Sequence, residues 1–309
     1  MQIIPLAGEA GSGALWIDSA ARRLYVACSN GLLVLDADSG RSLAEIKDLP
    51  GIAGIAIAQV NNRGYVTNSN DDRISIFELT GFGHLGQIPV GGNPGALVYD
   101  SSAHRFYAMN RGSRNASAID ADDGEVEETI DLGGVPAGAL ADGHGRVFIV
   151  LEDRAELVEI DAKKMAFSRR FAIPGCTAPR DIALDESRGR LFIGCAAQRL
   201  AVMSTQDGNV LSIAGTGSGG GGIATDTSSD LVFVANTSGG VTILADSGNA
   251  NYHAIETVAT AGNVSAIAFD AATRQLFVLA SAGTVPRPGP SQKPEDTGTR
   301  SSQLLVLGK

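Results

Sequence analysis

Five arginines, Arg111, Arg114, Arg154, Arg180 and Arg199, fall in the middle of this 309-residue chain. A guanidinium presents a planar fork of N–H donors that meets a carboxylate or phosphate at two points, so clustered arginines are chemistry for holding an anion. Asn68, Asn110 and Asn236 add amide groups that could complete such a site. The same stretch also holds Glu152, Asp153 and Asp181. They offer a plainer reading, in which the arginines are neutralised in solvated pairs that contribute little.

Covalent and metal chemistry find less footing. His84, His104, His144 and His253 are scattered, and a serine or cysteine nucleophile needs a base within hydrogen-bond reach. The three cysteines, Cys28, Cys176 and Cys195, are odd in number and widely spaced, which is neither a disulfide framework nor a zinc pattern. They are expected to be buried free thiols, with pairing of Cys176 and Cys195 left open. No cofactor or metal site is expected from these spacings.

The elements that must position these residues repeat. Tyr25, Tyr65, Tyr107, Phe148, Phe192, Phe233 and Phe277 recur at intervals of 40, 42, 41, 44, 41 and 44 residues, each centred in an apolar strand. A period in the forties with several short strands per unit is the signature of propeller blades. In the second repeat, Gly54–Ala58 reads as a small-residue strand near an axis, and Asn61–Gly64 as a turn. Gly64–Asn68 then reads as an aromatic and β-branched strand, Ile74–Phe77 as an alternating one, and Leu85–Val90 as an edge strand that tolerates Pro89. Helical periodicity is absent. The last repeat supplies three strands, ending in Leu304–Leu307, while Gln2–Leu6 precedes the first repeat as a surplus outermost strand. Pairing the two closes the ring and hides strand edges. The expectation is an all-β, seven-bladed β-propeller of four-stranded antiparallel blades, one domain over residues 1–309, with a proline-rich surface loop at 284–303.

Because strand direction alternates, the connections between blades share a face with the loops joining second and third strands. That face gathers the five arginines, from the third to fifth repeats, together with Asn68, Asn110, Asn236 and Glu9, at the mouth of a central channel. Asp18, Asp100, Asp142, Asp185, Asp226 and Asp270 recur on the opposite face and read as turn-formers.

Lys and Arg total 24 against 34 Asp and Glu, a net charge of −10. This argues against nucleic acid, whose binders carry a basic footprint. No run of about 18 apolar residues suggests a membrane helix, and residues 1–8 lack the features of a signal peptide. A monomer is expected. Its place is the cytoplasm if the chain is complete, and the periplasm or the outside of the cell if an export signal has been removed.

Tyr65-Val66-Thr67-Asn68 spells the motif of the YVTN β-propeller repeats, and Leu24–Ala27 and Val232–Asn236 are near matches. The whole chain, from residue 2 to 308, resembles that family, whose members include surface-layer and periplasmic binding proteins and relatives of seven-bladed lactonases. Glu9, in Gly8-Glu9-Ala10-Gly11-Ser12-Gly13, also looks like the glutamate-bearing opening of gluconolactonase-type propellers, where oxygen ligands hold a divalent cation. The favoured expectation is a non-catalytic binding or interaction scaffold. Its partner would be a small anionic ligand or an acidic protein segment, bound at the channel mouth. A lactonase-like hydrolase or lyase using a divalent cation is the alternative that the resemblance carries.

Overall fold

A computed structural model describes residues 2–6, 10–29, 31–217, 219–260, 262–281 and 302–308. Its strands form seven four-stranded antiparallel sheets. Each innermost strand packs beside the next, and the seventh returns beside the first, so the sheets stand as blades around a closed ring. Blade 2 shows the pattern: Ile52–Ala58 innermost, then Arg63–Asn68, Arg73–Glu78 and, outermost, His84–Pro89. Its tight turn is one 3-10 element at Gln59–Asn61, closed by Asn62 in the left-handed region at φ 53°, which asparagine tolerates. The remaining described regular structure is β-strand.

Closure follows the strand count. In the seventh blade the order is Val264–Asp270, Gln275–Ser281, Ser302–Leu307 and then Gln2–Pro5 from the other end of the chain. Ile3 faces Leu305 and Ile4 faces Leu304 in an antiparallel register. The Leu6 amide adds a bond to the Ser302 carbonyl. Pro5, at the end of an edge strand, costs no ladder bond that another strand needs. The proline-rich run at 284–303 lies almost wholly outside the described residues.

The core is divided among the blade interfaces. Among the described residues, seven apolar clusters occur, each shared by two neighbouring blades. The seven aromatic anchors are all buried in them. Two anchors use their polar end as well: the Tyr65 hydroxyl donates to the Ala121 carbonyl at 3.1 Å, and Tyr107 to Ala162 at 2.7 Å, each on the next blade. A partner of this kind offsets the cost of burying a phenol hydroxyl.

The six repeated aspartates end the innermost strands of six blades and are buried. Each accepts a hydrogen bond from a backbone amide of its own turn, as when the Ala103 amide reaches Asp100 at 2.8 Å. The turn-forming role read from the sequence holds. The ring adds a second role. Gln59 donates to Asp18, the Gly145 amide to Asp100, Arg274 to Asp226 and Arg22 to Asp270, in every case across a blade boundary. Arg146 and Arg188 hold Asp142 and Asp185 and reach on to carbonyls of the next blade, Thr205 and Thr227. Burial alone would raise the Asp270 carboxyl, but bonds from Ser19, Thr273 and Arg22 and the Ala272 amide together hold it at about 2. Asp142 and Asp226 are likewise held below the ordinary carboxylate range, their bonds outweighing burial.

Two outcomes follow from this architecture. Removing residues 1–8 strips Ile4 and Leu6 from the core and leaves Leu304–Val306 as a bare edge, and the melting temperature should fall by about 10 °C or more, since each lost kcal/mol shifts a large domain by roughly 2–4 °C. An unchanged melt would refute the closure. Because a depressed carboxyl contributes stability that is present above its unfolded pKa and lost as pH falls through its folded value, the protein should destabilise between about pH 4 and pH 2. Asp270→Asn should be less stable at neutral pH and lose less on acidification, as read by denaturant unfolding at several pH values.

Candidate functional site: the channel and its mouth

The innermost strands surround a cavity of about 750 Å³ that runs along the ring axis. Each of these strands places one residue opposite the aromatic anchor of the second strand. Two positions earlier stand Ala14, Gly54, Ala96, Gly138, Gly222 and Ala266, and in blade 5 Asp181. The small residues fit the crowding. A Cβ on Gly54 would lie 2.5 Å from the Gly95 carbonyl oxygen, and one on Gly138 would lie 2.7 Å from the Cα of Asp181. Opposite the anchors the same comparison gives Ala56, Val98, Leu140, Ala183, Ala224 and Ala268, with Trp16 in blade 1. At these two positions of the seven strands, two side chains therefore depart from residues that are otherwise small or aliphatic. Both line the cavity.

Asp181 was expected among the carboxylates that neutralise the arginines. Instead it lies in the channel wall, where Oδ2 accepts the Ile223 amide of blade 6 at 2.7 Å. Burial pushes its carboxyl above the ordinary value, against bonds from the Ile182 and Ile223 amides that favour the charged form. Its strand, Asp181–Asp185, pairs with the next without the register shift found in the other six innermost strands.

At the mouth, the structure brings together part of the predicted arginine arc. Glu152 of blade 4 takes Arg111 Nη2 at 2.7 Å on one oxygen and Arg180 Nη2 at 3.4 Å on the other, linking three blades through one carboxylate. Arg111 also donates to the Pro136 carbonyl, and Arg114 pairs with Asp153 at 3.3 Å. Arg154 donates to the Gly133 carbonyl. Among the described residues, Arg154 and Arg199 are exposed and belong to no ion pair. The three asparagines are elsewhere. Asn68, Asn110 and Asn236 are buried at the ends of second strands and donate to Ser75, Ser117 and Thr242 of the third strands. Glycines of the inter-blade connections lie directly over two of them: a Cβ on Gly91 would strike Asn110, and one on Gly217 would strike Asn236. They join strands within a blade rather than line the opening.

The cysteines require a correction. Cys176 and Cys195 form a disulfide with Cα atoms 5.3 Å apart, and only Cys28 is a free thiol. The connection into blade 5 returns alongside the end of that blade's second strand, because the strand it feeds must pair there. The bonds from Arg180 N to Gly194 O and from Ala196 N to Thr177 O record the same approach. The bridge thus fixes the segment that carries Arg180 and Asp181. The four histidines are exposed, and His144 pairs with Glu186 at 2.7 Å. Among the described residues, no three of His, Cys, Asp and Glu converge on a common point. Glu9, on which the divalent-cation alternative rests, lies outside them.

No family model and no curated protein matches the chain by sequence. Solved structures do resemble it in shape. Hydrazine synthase of Kuenenia stuttgartiensis aligns with a TM-score of 0.77 and 14% identity, covering 88% of this chain and 93% of that one. The WD40 repeats of RRP9 give 0.78 and 14%, covering 99% and 97%. The β-propeller domain of Cps50 (Swd1) from Myceliophteria thermophila gives 0.78 and 8%, covering 99% and 100%. At such identities the likeness is one of fold, and the fold is the seven-bladed β-propeller.

The disulfide can be checked directly. Thiol labelling of the unfolded protein without reductant should modify Cys28 alone, and all three cysteines after reduction. Cys176→Ser with Cys195→Ser should cost about 3 kcal/mol, the chain-entropy value for a loop of this length. Three labelled thiols in protein that has not been reduced would contradict the bridge.

Proposed function

We propose that the protein is a non-catalytic interaction scaffold, one propeller over residues 1–309. Its channel mouth over blades 3 to 5 receives an acidic segment of a protein partner. The observation that carries this reading is the two exposed arginines, Arg154 and Arg199, which belong to no ion pair among the described residues of a protein whose net charge is −10. Around them Glu152 and Asp153 are outnumbered by five guanidinium groups, so an incoming run of carboxylates meets local positive charge against the global field. Arg180, solvent-facing at the rim of this group, can exchange Glu152 for a partner's side chain at little cost, because pairs open to solvent are weak. A rigid ring that presents loops from several blades suits such a surface.

The repeat motif around Tyr65 to Asn68 supports kinship with YVTN-type propellers, although its residues are packing residues and do not specify a ligand. The Cys176–Cys195 bridge supports work in an oxidising compartment, periplasmic or extracellular, since such bonds are rare where thiols are kept reduced.

A glutamate-rich decapeptide titrated by calorimetry tests the reading, with phosphate as the small-anion arm. Binding should weaken steeply with salt and fall by about tenfold or more in the Arg154→Ala, Arg199→Ala double variant, as expected when two charge contacts are lost. Peptide binding that is absent, or untouched by the double substitution, would remove the proposal. Binding of phosphate alone would replace the acidic segment with a small anion.

A further inference from the structure

Neither of the two side chains that break the regularity of the channel wall takes part in the mouth. At the position where six blades carry Ala or Gly, blade 5 carries Asp181. Its bond to the Ile223 amide ties blades 5 and 6, which occupies one oxygen and accounts for an acceptor but not for a charge. Among the described residues it belongs to no ion pair. Arg180, the other charged residue of the lining among the described residues, is engaged with Glu152. A carboxylate in a low-dielectric wall is costly unless a positive charge joins it.

The second departure is Trp16. It stands on an innermost strand of a ring whose interfaces bury their aromatic anchors, yet it is 41% exposed, in the cavity. An indole open to a channel is the surface to which alkylated and protonated amines are drawn, because the ring's negative face attracts the cation while its body gives apolar contact. Much of the remaining wall is aliphatic, from Leu15 and Ile55 to Leu140 and Ile267, with Phe269 and a few hydroxyls such as Thr225 among it, and about 750 Å³ is room for a small ligand.

We infer that the central channel is a binding site for a small organic cation, an ammonium group with an apolar body. The ammonium meets Asp181, and the body lies against Trp16 and the aliphatic wall. The inference does not rest on the mouth arginines. Arg154 and Arg199 do not line the cavity, so the two proposals stand or fall separately.

Trp16 is the only tryptophan, so its fluorescence reports the channel directly. The probe is cyclohexylammonium, with cyclohexanol as the uncharged counterpart, titrated into the intact protein. The expected result is a saturable change in emission with cyclohexylammonium and a much weaker one with cyclohexanol. Asp181→Asn retains a carbonyl to accept the Ile223 amide and should melt near the wild type. Its affinity for the amine should fall roughly thirtyfold or more, the lower end of what losing one partner of a buried charge pair costs. If the variant fails to fold, the comparison of amine with alcohol on the wild type decides the matter. The inference is overturned by no saturable response to the amine, by equal responses to amine and alcohol, or by unchanged affinity in a folded Asp181→Asn protein.

Discussion

The pairing of Gln2–Pro5 with Ser302–Leu307 holds the rest of the molecule in place. Seven blades can share seven interfaces only if the last returns to the first, and this short edge strand completes the sheet at which they meet. It brings Ile4 and Leu6 into the cluster that packs blade 7 against blade 1, with Leu24, Val26 and Phe277. Were that interface open, the other six would still bury their apolar surface in pairs. The innermost strands would no longer surround an axis, however, and no channel would exist.

Closure imposes crowding at the axis, and crowding gives the channel its character. Where innermost strands approach, backbone of one blade comes within contact distance of the next, and glycine or alanine is what fits. A large or charged side chain there is at odds with the local packing and draws attention to what it faces. Farther out, the belt of aspartates fastens each turn to its neighbour, so the two faces of the ring are held in different ways. One face is tied by buried carboxylates and their donors. The other, carrying the mouth, is tied by Asn-to-Ser/Thr bonds within blades, by the disulfide, and by ion pairs around Glu152. The pairs made by the exposed Arg114 and Arg180 exchange readily, which leaves the mouth the more adaptable surface.

Much of the fold was legible because it is written in apolar periodicity. The spacing of Tyr25 to Phe277 counted the blades, and the surplus strand at one end matched the deficit at the other. The aspartates announced their turns, though not the arginines and amides that reach them from the next blade, since those contacts need the ring's geometry. At the mouth the sequence pattern grouped the arginines by loop but could not weigh the pairs they form. The asparagines misled because a polar residue at a strand end reads as exposed. Their partners follow six or seven residues later, at Ser75, Ser117 and Thr242, where the third strand folds back beside them. Asp181 and Trp16 were visible as letters. Only alignment of the seven innermost strands against their anchors shows them as departures from Ala, Gly and small aliphatic residues. The disulfide was within reach of the same logic, because an inter-blade connection and the end of a second strand share one face.

Amide hydrogen exchange across the described N-terminal residues tests the ring most directly. If the chain closes as described, the segment Gln2–Leu6 will exchange slowly, with protection like that of other outermost strands such as Ser42–Lys47 and His84–Pro89. Exchange of that segment at the rate of an unstructured chain, while the other outermost strands stay protected, would contradict the closed ring and the channel it encloses.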